Sequence, residues 1–177
     1  MPQLPIPYYV LFLIILIAVS TDLKARKIYN LLTFPGMLLG IALNMLIVSK
    51  AAPLAGLWFS LQGLLFGILI FFIPFALGGL GAGDLKLLGV IGAFGGLNFV
   101  LWAGLYSAIA GGVISLLIIL FDRTKLKVTG RFFKNLLNSL LYQIKITPPE
   151  KENIAGRRFP YSFAVLTGTI LAILFQL

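Results

Sequence analysis

The chain has 177 residues, of which 60% are hydrophobic and 11% charged, with a mean hydropathy of +1.05 and a formal net charge of +9. A soluble domain carries about a quarter of its residues charged, so this is the composition of an integral membrane protein. The cations fall between apolar runs instead of covering a solvated fold, which argues for the lipid bilayer and against nucleic acid as the partner.

Cysteine and histidine are both absent. Their absence removes disulfides, thiol nucleophiles, zinc sites built on those side chains and histidine triads. What remains is carboxylate, lysine or hydroxyl chemistry, with no metal and no cofactor expected.

Taken in order, Pro2, Pro5 and Pro7 give an extended start, because proline is tolerated only at a helix beginning. A first span is predicted over 8–21. No Lys or Arg precedes Lys24 and the run ends in Thr21-Asp22 without a small-residue cleavage site, so it reads as a retained span, not a signal peptide. The run is short for a hydrocarbon core of about 30 Å, which sets Asp22 at or just inside the interface.

Asp22 to Asn30 is a polar connector, and a second span follows over 31–48. Lys50 to Pro53 form a turn. The third span, 54–77, contains Pro74, where a kink is expected. A glycine cluster from Gly78 to Lys86 leads into spans over 84–96 and 99–121, divided at Leu97-Asn98. Residues 122–158 are predicted as a cytoplasmic loop. Within it Phe132, Phe133, Leu136, Leu137, Leu140 and Leu141 recur at helical spacing, the pattern of an amphipathic helix lying on the membrane surface. The last span is 161–177. The expected architecture is all-α and polytopic: six transmembrane helices plus the interfacial helix, in one membrane domain over 1–177.

The cations give the orientation. With six spans, 13 of the 14 Lys and Arg residues fall on one side, with Lys50 alone opposite. Fusing 85–121 into a single span would split the cations ten to four. By the positive-inside rule the cation-rich loops are cytoplasmic, both termini are outside, and Asp22 and Asp84 share the cytoplasmic face. Gly36/Gly40, Gly63/Gly67, Gly92/Gly96 and Gly104/Ala108/Gly112 carry the four-residue spacing that lets helices approach closely in lipid.

The chain has only five acidic residues. Asp122, Glu150 and Glu152 sit among cations in the long loop and read as solvated. Asp22 and Asp84 adjoin long apolar runs, where a carboxylate is costly and therefore points to a site. Two carboxylates brought together on one face can share a proton, one activating water as base and the other donating to a carbonyl. Gly81 and Gly83, lacking Cβ atoms, would let a substrate backbone approach Asp84. Lys86 reads as a supporting group, an interfacial anchor or local partner.

The string Gly81-Ala82-Gly83-Asp84-Leu85-Lys86-Leu87-Leu88 resembles the GxGD-x-K-L-L signature of type IV prepilin peptidases, the GxGD membrane aspartic proteases. Asp22 to Asn30 resembles that family's other signature, an aspartate, a basic patch and Ile-Pro-Asn, with Tyr29 where proline is usual and a changed turn expected there. Phe159 to Ala164 is similar to the proline-containing start of the family's last helix.

The resemblance implies a leader peptidase of the cytoplasmic membrane. It would act on pilin-like precursors, with Asp22 and Asp84 as the catalytic pair. Lacking cysteine and an N-terminal extension, the chain resembles the peptidase-only forms that serve Flp/Tad pili or archaeal preflagellins, so no methyltransferase activity is expected. The alternative from another class is a small transporter or cation or proton relay using the same two aspartates.

Overall fold

The computed structural model describes residues 6–48, 52–76, 80–121 and 161–176. The expected loop 122–158 with its amphipathic helix, the turn at Lys50, and Gly78 and Gly79 lie outside these residues. The chain divides into two compact units, Met1–Gly111 with Pro160–Leu177, and Gly112–Phe159. The packing and the site below belong to the first unit; of the second, only the helical run 112–121 is described.

Among the described residues the protein is all-helical: α1 (Ile6–Ala25), α2 (Asn30–Leu43) continuing as a π-helical turn (Asn44–Val48), α3 (Pro53–Ala76), α4 (Ala82–Phe121) and α5 (Tyr161–Gln176). Four stretches are long and apolar enough to cross a membrane, Ile6–Ala25, Asn30–Ile47, Pro53–Ala76 and Ala82–Leu117, and Tyr161–Phe175 is a shorter apolar helix. The first helix outruns its sequence-based boundary: Leu23, Lys24 and Ala25 continue it, so Asp22 lies in its last turn and not in the connector. α3 stays helical past Pro74 to Ala76.

Each helix is apolar on the face it buries and on the face it does not. Along α1, Leu11, Ile14, Ile15, Ala18 and Val19 are buried, while Tyr9, Phe12, Leu13, Leu16 and Ile17 are exposed. In water such faces would be an aggregation surface; hydrocarbon accommodates them. The centre of the unit is the start of α4, where every residue from Leu87 to Gly96 is buried. Leu87, Leu88, Val90, Ile91 and Phe94 form one core with Leu11, Ile14 and Ile15 of α1 and Val165 and Ala172 of α5.

α4 is not one straight rod. Gly96 has φ 73° and ψ −174°, a conformation open essentially to glycine alone. The contacts with α3 show what it does. A methyl group on Gly63 would strike the Gly92 carbonyl, one on Gly67 the Leu88 carbonyl, and one on Gly96 the Phe59 ring. Rising numbers in α3 thus meet falling numbers in 82–95. Beyond Gly96 the order inverts, because Gly67 meets Val100 and Gly104 meets Phe71. The two segments of α4 therefore run in opposite directions, and Gly96 reverses the chain. The reversal falls one residue before the Leu97-Asn98 break read from the sequence, since the backbone demanded a glycine and not a polar residue.

Reversal leaves carbonyls without helical partners. Those of Ala93 and Phe94 would bond the amides of Leu97 and Asn98 in an unbroken helix. Asn44, in the π-helical turn, supplies the missing donor: its Nδ2 donates to the Ala93 carbonyl at 3.0 Å, the Phe94 carbonyl at 3.1 Å and Ser60 Oγ at 2.9 Å. Asn44 and Ser60 are both buried.

Three substitutions test this packing by thermal denaturation in detergent. Asn44→Ala leaves buried carbonyls unpaired and is expected to cost about 1–2 kcal/mol. Gly96→Ala forces a strained backbone into the Phe59 ring and is expected to cost about 1–3 kcal/mol or more. Gly112→Ala, with nothing within 4 Å of the added methyl, should be neutral or stabilising by up to about 1 kcal/mol.

Candidate active site

The end of α1 fixes the first carboxylate. Arg26 adopts φ 52°, the left-handed conformation that stops a helix, and its amide donates to the Asp22 carbonyl at 2.8 Å. Leaving through this cap, the chain is extended at Tyr29, with φ −77° and ψ 138°. That φ lies within the range proline imposes. At this position tyrosine takes up the φ that proline would fix. The Tyr29 carbonyl then accepts from the Leu32 and Thr33 amides and opens α2.

The second carboxylate sits in the first turn of α4, on the end of the most deeply buried segment of the unit. Asp84 Oδ2 accepts from the Gly81 amide at 3.3 Å, and the Leu85 amide donates to the Gly81 carbonyl at 3.3 Å. Asp84 thus reaches back to the residue before the helix, as the third residue of a capping box does. Gly83 makes the junction between the two halves. A methyl on it would lie 3.0 Å from Ile28 Cβ, so its missing side chain is the space that the connector after Asp22 occupies. Gly81 is exposed, and among the described residues only Asp84 Oδ2 comes near its Cβ position, at 3.1 Å.

Lys86 ties the same two halves together from outside. Its Nζ donates to Asn30 Oδ1 at 2.7 Å and stands 5.3 Å from the centre of the Phe34 ring, which links the start of α4 to the start of α2. Asn30 lines the cavity described next; Lys86 supports that wall from behind.

All these pieces surround one open cavity of about 370 Å³, lined by Asp22, Arg26 to Asn30 and Gly81 to Asp84. The structure brings together Asp22, Asp84, Gly81 and Gly83. It also supplies a residue to which sequence reasoning gave no role. Ser162, buried in the first turn of α5, donates from Oγ to Asp22 Oδ2 at 2.5 Å. The two residues are 140 positions apart, and nothing in the local pattern around Ser162 pairs it with Asp22. The nearest signal is a hydroxyl at the start of the last helix, just after Pro160.

α5 is held in place for this contact by close approach to the second segment of α4. A methyl on Gly168 would strike Ser107, and one on Gly111 would lie 2.7 Å from the Tyr161 ring. Half-buried carboxylates beside cations and small residues, in a cavity open to water, are a setting for general acid and base chemistry on a peptide. Among the described residues, no group of three or more His, Cys, Asp or Glu side chains comes together as a metal site would require.

No curated protein and no solved structure matches the chain. A model of the type IV leader peptidase family matches residues 9–116, more than half of the sequence. That match includes Asp22, Asp84 and the whole cavity wall, and ends before α5. The chain belongs to the type IV leader peptidase family, a family of proteases.

Proposed function

We propose that the protein is a membrane aspartic endopeptidase that removes the leader from type IV pilin-like precursors at the cytoplasmic face of the inner membrane, with Asp22 and Asp84 as the catalytic pair. The observation that carries this reading is that two carboxylates from helices 62 positions apart line a single water-accessible cavity.

In the reaction a water oxygen adds to the scissile carbonyl carbon. Its proton passes to the ionised aspartate, while the protonated aspartate gives its own to the carbonyl oxygen. On collapse the C–N bond breaks, the departing nitrogen takes the proton from the first aspartate, and the diol returns one to the second. Gly81, open beside Asp84, leaves room for the substrate backbone. Lys86 holds the cavity wall through Asn30.

The chain reversal at Gly96 favours six membrane crossings, because each segment of α4 then counts separately. The positive-inside bias puts the cavity on the cytoplasmic side with both termini outside. The precursor's own apolar helix would lie in lipid or between helices, which holds its cleavage site at the depth of the aspartates. A transporter or relay would instead place its carboxylates along a path through the bilayer, and no observation favours that arrangement over one cavity at helix ends.

Co-expression with a candidate prepilin tests the reading. Leader removal, followed by gel shift, should fall by about 100-fold or more in both Asp22→Asn and Asp84→Asn; cleavage surviving either substitution sinks the two-aspartate mechanism. Activity is further expected to withstand EDTA and thiol reagents, as a chain without cysteine or histidine implies. Inhibition by EDTA, reversed by added metal, would contradict a pair working alone.

A further inference from the structure

The reading above leaves open how the two aspartates divide the work. We infer that Ser162 is a positioning residue that fixes Asp22 as the carboxylate taking the proton from water, leaving Asp84 to supply the proton to the carbonyl; this rests on the two-aspartate reading and deepens it.

The two carboxylates are held differently. Asp22 Oδ2 accepts the Ser162 hydroxyl at 2.5 Å, at the short end of the range for a hydroxyl donor. Asp84 Oδ2 receives one amide at 3.3 Å, beyond the usual range for such a bond. The Asp22 oxygen that accepts the hydroxyl is committed to accepting, so a proton taken up by this carboxylate goes to its other oxygen. Arg26 and Lys27, which follow Asp22 in the chain, line the same cavity.

Ser162 occupies one oxygen of Asp22 and so locks the side-chain rotamer, leaving the other oxygen to meet a water. The hydroxyl has no freedom to drift, because Ser162 is buried and α5 is packed against α4 at Gly168 and Gly111. The contact also makes the last helix part of the site, although that helix lies outside the region matched by the family model.

The test compares cleavage kinetics of the purified full chain with Ser162→Ala, Ser162→Thr and Ser162→Cys, using a prepilin substrate in detergent micelles. Ser162→Ala should lower kcat about tenfold or more, with KM changed by less than about twofold, since the lost bond acts on the reacting group and not on substrate binding. Ser162→Thr, which keeps the hydroxyl, should restore kcat to within about threefold. Should Ser162→Ala fail to fold, Ser162→Cys, a weaker donor of similar size, carries the same expectation of a kcat loss that Thr does not share.

A wild-type kcat in Ser162→Ala or Ser162→Cys, a loss confined to KM, or a Thr variant as slow as the Ala one would overturn the assignment. Asp22→Asn is run in parallel. If it is inactive while Ser162→Ala is fully active, only this inference fails; if it cleaves, the two-aspartate reading fails with it.

Discussion

The burial of residues 87–96 on every side is the constraint on which the site depends. A helix can be enclosed this fully only if its neighbours come within backbone distance, and Gly63, Gly67 and Gly92 make that approach between α3 and α4. Enclosure on all sides also requires that the chain turn back at its far end and join the wall around itself. Gly96 makes the turn, and Asn44 satisfies the two carbonyls that the turn exposes. Asp84 stands at the near end of this segment, so the most buried part of the unit holds that carboxylate.

Around that centre the remaining contacts are short polar links between helix ends. The left-handed cap at Arg26 ends α1 just past Asp22, Ile28 fills the space left by Gly83, Lys86 joins α4 to α2 through Asn30, and Ser162 joins α5 to α1. Each link is local, yet together they join the ends of four helices around the cavity and Asp22. Core packing sets how the helices lie, and these links set how their ends meet.

Much of this was legible in the sequence, and the reasons differ by element. Helices were readable because apolar runs of membrane length have few other uses, and the two carboxylates were readable because charge beside such runs is costly. The glycine spacings announced close packing, although Gly112 meets nothing among the described residues. Less was visible where tertiary context decides. Leu23 to Ala25 could serve a helix or a connector equally well, and only the Arg26 cap shows which. At Tyr29 residue identity was visible and φ was not. Asn44 and Ser162 were missed for one reason: each is a single polar residue in an apolar run, whose partner is set by how distant helices pack.

The account turns on Asp22 and Asp84 facing one cavity, and a chain without cysteine allows a direct measurement. The double variant Asp22→Cys with Asp84→Cys, in native membranes, is treated with a short bifunctional maleimide and examined for an intramolecular cross-link by protease digestion and gel mobility. Cross-linking is expected in the double variant and in neither single one. A double variant in which both thiols react yet never link would place the two positions in separate surroundings and contradict the account.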